Sequence, residues 1–111
     1  MAKLDQYREY IQNLLTKYGS YKPSEEDVEI QLIFDTVRDH YQIIEIGWDG
    51  YDRIYNCVMH LDIKAEKIWI QRNMTDIQIA EELIEMGVPK QNIVLGLQPS
   101  NLRQYTQYGV A

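Results

Sequence analysis

Arg53–Arg72 reads R-I-Y-N-C-V-M-H-L-D-I-K-A-E-K-I-W-I-Q-R, and its reading decides the fold. Tyr55, Cys57, Met59, Leu61 and Ile63 alternate with more polar positions, as do Ile68 and Ile70, so the stretch predicts two β-strands joined by a tight turn. A two-residue turn at Ala65-Glu66 sets Ile63 opposite Ile68 and Leu61 opposite Ile70, which gathers four apolar side chains on one face. The other face then carries Asp62 against Trp69 and His60 against Gln71. The same register puts Lys64 opposite Lys67, a like-charge pair. Ala-Glu is a poor two-residue turn, because such turns favour Asn-Gly or Asp-Gly, and a slightly longer loop is the alternative.

Outward from this hairpin, Val28–Asp35 alternates, with Val28, Ile30, Leu32 and Phe34 on one side. His40–Trp48 predicts a further strand with Ile44, Ile46 and Trp48 on one side, followed by a bend at Gly47–Gly50. Lys3–Tyr18 repeats apolar residues at steps of three and four and ends at Gly19, which predicts an amphipathic helix with a glycine cap. Thr75-Asp76-Ile77-Gln78 has the form of a capping box and opens a second helix running to about Met86, closed by Gly87 and Pro89. Ile93–Leu97 is a short strand or a buried tail, and Pro99–Arg103 is irregular. The polar connection 21–27 with its acidic run Glu25-Glu26-Asp27 is a solvated loop. The expected fold is α+β over one domain, residues 1–111: an N-terminal helix, a four-stranded antiparallel β-meander, a C-terminal helix and a short ordered tail, with both helices on one sheet face.

That arrangement leaves Ile33, Tyr41, Ile43, Ile54, Val58 and Trp69 on the second face, which is more apolar than a solvated face should be. Either the tail 93–111 covers it or another chain does, a second copy included.

Composition narrows function. The 111 residues carry 11 Lys and Arg against 17 Asp and Glu, a formal net charge of −6. An isolated DNA binder shows a basic stripe, and phosphate contact supplies most non-specific affinity, so direct nucleic-acid binding is not expected. The charge suits association with a basic partner. One cysteine allows neither an internal disulfide nor a multi-cysteine metal site and fits a reducing cytoplasm. No signal core or 18-residue apolar run is present, so neither secretion nor a membrane helix is expected.

The residues with chemical capacity are few. His60 and Asp62 point the same way from one strand, a start for base chemistry or metal ligation. Two ligands do not make a site, and His40, read as lying in a turn, has nothing to fix it nearby. Cys57 at a core-facing position is a small buried hydrophobe. The sequence shows no nucleophile elbow, no H-E-x-x-H and no phosphate-binding glycine pattern. No catalytic residue, cofactor or metal is assigned. The nine tyrosines add modestly to an interface reading. Trp48, Arg53, His60, Asp62, Trp69 and Gln71 are the candidate partner-binding residues. The alternative is a small-ligand or metal-dependent enzyme using His60 and Asp62.

Several blocks together resemble the XisI family of fdxN element excision controlling factors, known from cyanobacteria. They are Asp52–Lys64 (DRIYNCVMHLDIK), Lys67–Gln71 (KIWIQ), Thr75-Asp76, Ile79–Leu83 (IAEEL), Met86–Gly96 (MGVPKQNIVLG) and Arg103–Ala111 (RQYTQYGVA). The chain departs from the family pattern at Ala65-Glu66, where an Asp-Gly-like turn is common, at Arg72, where His is common, and at Leu97-Gln98, where an aromatic residue and His are common. The resemblance implies a cytoplasmic, non-enzymatic accessory protein in programmed DNA excision during heterocyst development. It implies action through a protein partner, a recombinase or the nuclease-like factor XisH. An antidote-like inhibitor of a nuclease is a related alternative. It implies no catalytic residue.

Overall fold

The computed structural model describes residues 2–23 and 26–110. Glu25 of the acidic run and Ala111 of the carboxyl-terminal ending lie outside the described residues. The elements follow in the order α1 (Ala2–Tyr18), β1 (Val28–Asp35), β2 (His40–Asp49), β3 (Asp52–Lys64), β4 (Lys67–Asn73), α2 (Ile79–Met86) and β5 (Ile93–Leu95), with 3-10 turns at Lys90–Asn92 and Ser100–Tyr105.

The apolar stripe of α1 buries Tyr7, Ile11, Leu14 and Leu15 against β1, β2 and β3. Full burial of an aliphatic side chain contributes about 1.5–3 kcal/mol, so this stripe, and not intrinsic helix propensity, holds α1 in place. Gly19 donates its N–H to Leu15 O at 2.7 Å and ends the helix. Ile79 and Leu83 of α2 join the same core, and Gly87 closes α2 at φ 116° with its N–H on Ile84 O and that of Val88 on Leu83 O. The expected capping box does not form. Asn73 Oδ1 accepts from both the N–H and the hydroxyl of Thr75, and Thr75 Oγ1 accepts the N–H of Ile77. Those bonds hold 73–77 as a loop, so α2 starts only at Ile79, one turn later than its sequence signal.

The sheet order is β1-β2-β3-β4-β5. The first four strands form the antiparallel meander, but β5 pairs parallel to β4, with Ile68 opposite Ile93 and Ile70 opposite Leu95. The sheet is therefore five-stranded and mixed, not four-stranded and antiparallel. The crossover through α2 brings 93–95 back in the same direction as β4, which a tight hairpin cannot do.

The central hairpin takes the expected two-residue turn: Ile63 faces Ile68, Leu61 faces Ile70 and Lys64 faces Lys67. Ala65 and Glu66 both adopt positive φ, 54° and 61°. Two β-bulges change the faces elsewhere. Between β2 and β3 the register shifts so that Ile43 pairs with Met59 and Ile44 with Cys57, leaving Val58 over. Val58 and Met59 are then both in the core with Tyr41 and Ile43, all under the helices. Cys57, Tyr55, Ile44, Ile46 and Trp48 belong to the second face instead. This overturns the expected parity of β2 and of the first half of β3, because strict alternation cannot anticipate an inserted residue. Between β3 and β4 the shift leaves Gln71 over, so His60 pairs with Arg72 and not with Gln71.

The tail covers one end of the second face. Gly109 bridges Val94, its N–H reaching Ile93 O at 2.7 Å, and Lys67 Nζ donates to Val110 O at 2.8 Å. The Arg103 guanidinium and the Lys64 ammonium both lie over the Trp69 ring, at 5.1 and 4.1 Å from its centroid. Among the described residues no helix is long and apolar enough to cross a membrane.

Candidate functional site

Two separate regions of the second face hold the residues singled out from sequence. The first is the arm formed by the far ends of β2 and β3. The pairing of β1 ends at Val28 opposite Gly47 and that of β4 at Asn73 opposite Met59, so the turn segment Trp48–Arg53 runs on past β1, and β3 residues Asp52–Val58 pair with β2 but not with β4. Gly50, at φ 62°, makes the turn. Trp48 faces Arg53, whose guanidinium lies 5.2 Å from the indole centroid and donates to Gly47 O. Trp48 is 47% exposed, Tyr55 66%, and Tyr51 at the tip is fully exposed. Gly47 is packed against the backbone of Asp27 and Val28, which is where the arm is rooted.

The second region lies about 30 Å along β3 from Arg53, at about 3.3 Å per residue. The register places His40 directly opposite Asp62 and Gln42 opposite His60. Asp62 Oδ1 accepts from His40 Nδ1 at 2.9 Å and from His60 Nε2 at 2.8 Å, and Gln71 Nε2 donates to Oδ2 at 3.1 Å. His60 Nδ1 meets Gln42 Nε2 at 3.3 Å. The two imidazoles stand edge to face, 6.4 Å between centroids. Side-chain exposure falls from 55% at His40 to 26% at His60 and 12% at Asp62. Burial alone would raise the Asp62 carboxyl; the hydrogen bonds from His40, His60 and Gln71 outweigh it and hold the group below its ordinary value.

Of the six sequence candidates, then, His60, Asp62 and Gln71 meet, Trp48 and Arg53 meet elsewhere, and Trp69 is withdrawn beneath the tail at 6% exposed. The position missed from sequence is His40. It opens β2, where the predicted strand begins, and pairing fixes it opposite Asp62, although nothing was expected to fix it nearby. The signal was available in the hairpin: Trp48 opposite Arg53 brings His40 to Asp62 once a single bulge is counted. Cys57 sits on the second face and is half-buried; burial pushes its thiol up, against a smaller opposing effect of Arg72.

On the helix face a cleft of about 500 Å³ opens between α1, β2, β3 and the 73–77 loop, with Ile43, Val58, Met59 and Met74 among its walls. Of its polar groups, Tyr21 donates to Glu45 at 2.5 Å, and Tyr18 at the rim donates to Glu82. Burial, with Glu45 adding to it, pushes the Tyr21 phenol up, so it remains a neutral donor.

The family model of XisI protein matches residues 1–110. A solved XisI-like protein from Anabaena variabilis ATCC 29413 is 57% identical, with a TM-score of 0.93 over 97% of this chain and 99% of that one. The solved fdxN element excision controlling factor XisI from the same organism is 35% identical, with a TM-score of 0.89 over 98% of this chain and 99% of that one. Among curated proteins none matches.

Proposed function

Because the chain belongs to the XisI family, we propose that it is a cytoplasmic, non-enzymatic controlling factor of DNA element excision that works by binding a protein partner. The solved relative that carries the name of an excision controlling factor supports the first half of this reading. The observation that carries the second half is the β2–β3 arm. It presents Trp48, Tyr51 and Tyr55 with Arg53 between them, all exposed, at a hairpin end whose tip passes β1 and whose β3 side is not covered by β4. Tryptophan, tyrosine and arginine are the residues that dominate binding energy at interfaces. The Arg53–Trp48 stack holds two of them in place before any partner arrives, which lowers the entropy lost on association. The net charge of −6 favours a basic partner, and an XisH-like factor or a recombinase, each of which handles DNA, fits that requirement.

The purified chain should co-elute with one of these two partners. Trp48→Ala and Tyr55→Ala should each weaken the complex by about 2 kcal/mol, roughly thirtyfold, as hot-spot truncations do. Failure of both partners to associate would end the proposal, and so would a complex indifferent to both substitutions.

A further inference from the structure

We propose that His40, His60 and Asp62 form a binding site for one divalent cation of the zinc class. This goes beyond the partner-binding reading and does not depend on it. Three ligand atoms from two adjacent strands, His40 Nδ1, His60 Nε2 and Asp62 Oδ1, lie within 4.8 Å of one another. Each nitrogen is already within 2.9 Å of the same carboxylate oxygen. Around a tetrahedral ion with bonds of about 2.0–2.1 Å, ligand atoms stand about 3.3 Å apart, so the two N···O distances must open by about 0.4–0.5 Å while the two nitrogens, up to 4.8 Å apart, close towards each other by as much as about 1.5 Å. His40 is the side chain able to make that movement, since it is the most exposed of the three.

The supporting groups also fit. Gln71 Nε2 holds Oδ2 of Asp62, which fixes the plane of the carboxylate and leaves Oδ1 for the ion. Binding requires neutral imidazoles with the ligating nitrogen free of its proton. For His60 that proton passes to Nδ1, where the Gln42 amide, turned to present Oε1, accepts it. For His40 it passes to Nε2, on the exposed side. Two nitrogens and one carboxylate select zinc-like ions over magnesium or calcium, which take oxygen donors. Three protein ligands leave a fourth position, which opens to water beside His40.

The test is titration calorimetry of the tag-free chain with Zn²⁺. One equivalent per chain is expected, with a raised thermal midpoint. His40→Ala is the decisive variant, because an exposed side chain can be removed without unfolding the protein. It should lower the affinity by more than about tenfold, as should His60→Ala, while Cys57→Ser leaves it unchanged. Mg²⁺ at the same concentration should not bind. Absence of stoichiometric binding overturns the proposal. Binding that survives His40→Ala, or that is abolished by Cys57→Ser, also overturns it. Because the isolated chain is measured, the result is separate from whether a partner associates.

Discussion

Gly109→Ala tests whether the tail is held on the sheet by backbone contact. A β-carbon there would meet the carbonyl of Gln91 and the oxygen of Ile93, both main-chain atoms that no rotamer change can move. The bond from Gly109 N–H to Ile93 O would be lost with the close approach. Overpacking costs about 1–3 kcal/mol and a lost hydrogen bond about 0.5–1.5. The two do not add fully, because the tail can relieve the clash by lifting away, at the expense of the cover it gives Trp69 and Val94. The net loss expected is about 2 kcal/mol, out of a total stability of about 5–15 for a domain of this size. Trp69 reports the event directly. In a Trp48→Phe background, its emission should shift to the red as the indole meets water. The urea midpoint should fall by about 1 M if the dependence on urea is about 2 kcal/mol per M. A midpoint within about 0.25 M of the parent, together with unshifted emission, would refute the account of the tail.

Three further outcomes follow from other parts of the fold. Replacing Ala65-Glu66 by Asn-Gly should stabilise the protein by about 1–2 kcal/mol in urea melts, since both residues sit at positive φ, where a non-glycine residue costs about 1–2 kcal/mol. The Cys57 thiol, pushed up by burial, should react with a disulfide reagent at neutral pH far more slowly in the folded chain than in urea; equal rates would show that the group is open. The Asp35 carboxyl is held below its ordinary value chiefly by the Arg38 N–H, with the Val37 N–H and the Arg38 guanidinium adding to it. A depressed carboxyl stabilises the fold above its unfolded pKa of about 3.9 and loses that contribution as pH falls through the lower folded value, so Asp35→Asn should make the acid limb of stability against pH shallower.

What could be read from the sequence was whatever local chemistry decides. Gly19 and Gly87 mark helix ends because only a residue without a β-carbon is at ease there, and both do end helices. The Ile63–Ile68 register followed from parity, and the turn gave way to it in spite of its poor residues. What could not be read was set by distant partners. The bulge at Val58 turns Ile44 and Cys57 away from the core, and nothing in their immediate neighbourhood announces it. The capping box at Thr75 was a sound local signal that lost to Asn73. β5 is three residues long and exists because β4 offers it an edge. The same holds for the candidate sites. His60 and Asp62 were visible as a pair two residues apart, whereas His40, some twenty positions earlier, joins them only through the pairing of β2 with β3.

The outer side of β1 has a bearing on how the protein behaves when concentrated. In a sheet of five strands β1 is one of the two ends, and along its eight residues the outward row of main-chain groups has no strand to pair with among the described residues. Such a border invites a second molecule to extend the sheet. Ile33 and Leu32, both exposed, would add to the attraction, while Glu29 and Asp35 oppose it, since an in-register parallel pairing of two copies sets each against its own like charge and other registers keep the four carboxylates close along the seam. The guard is electrostatic, so it weakens with salt and disappears when the carboxylates are protonated. The protein should therefore stay dispersed at neutral pH and low ionic strength, and acidification should be the condition under which it first aggregates.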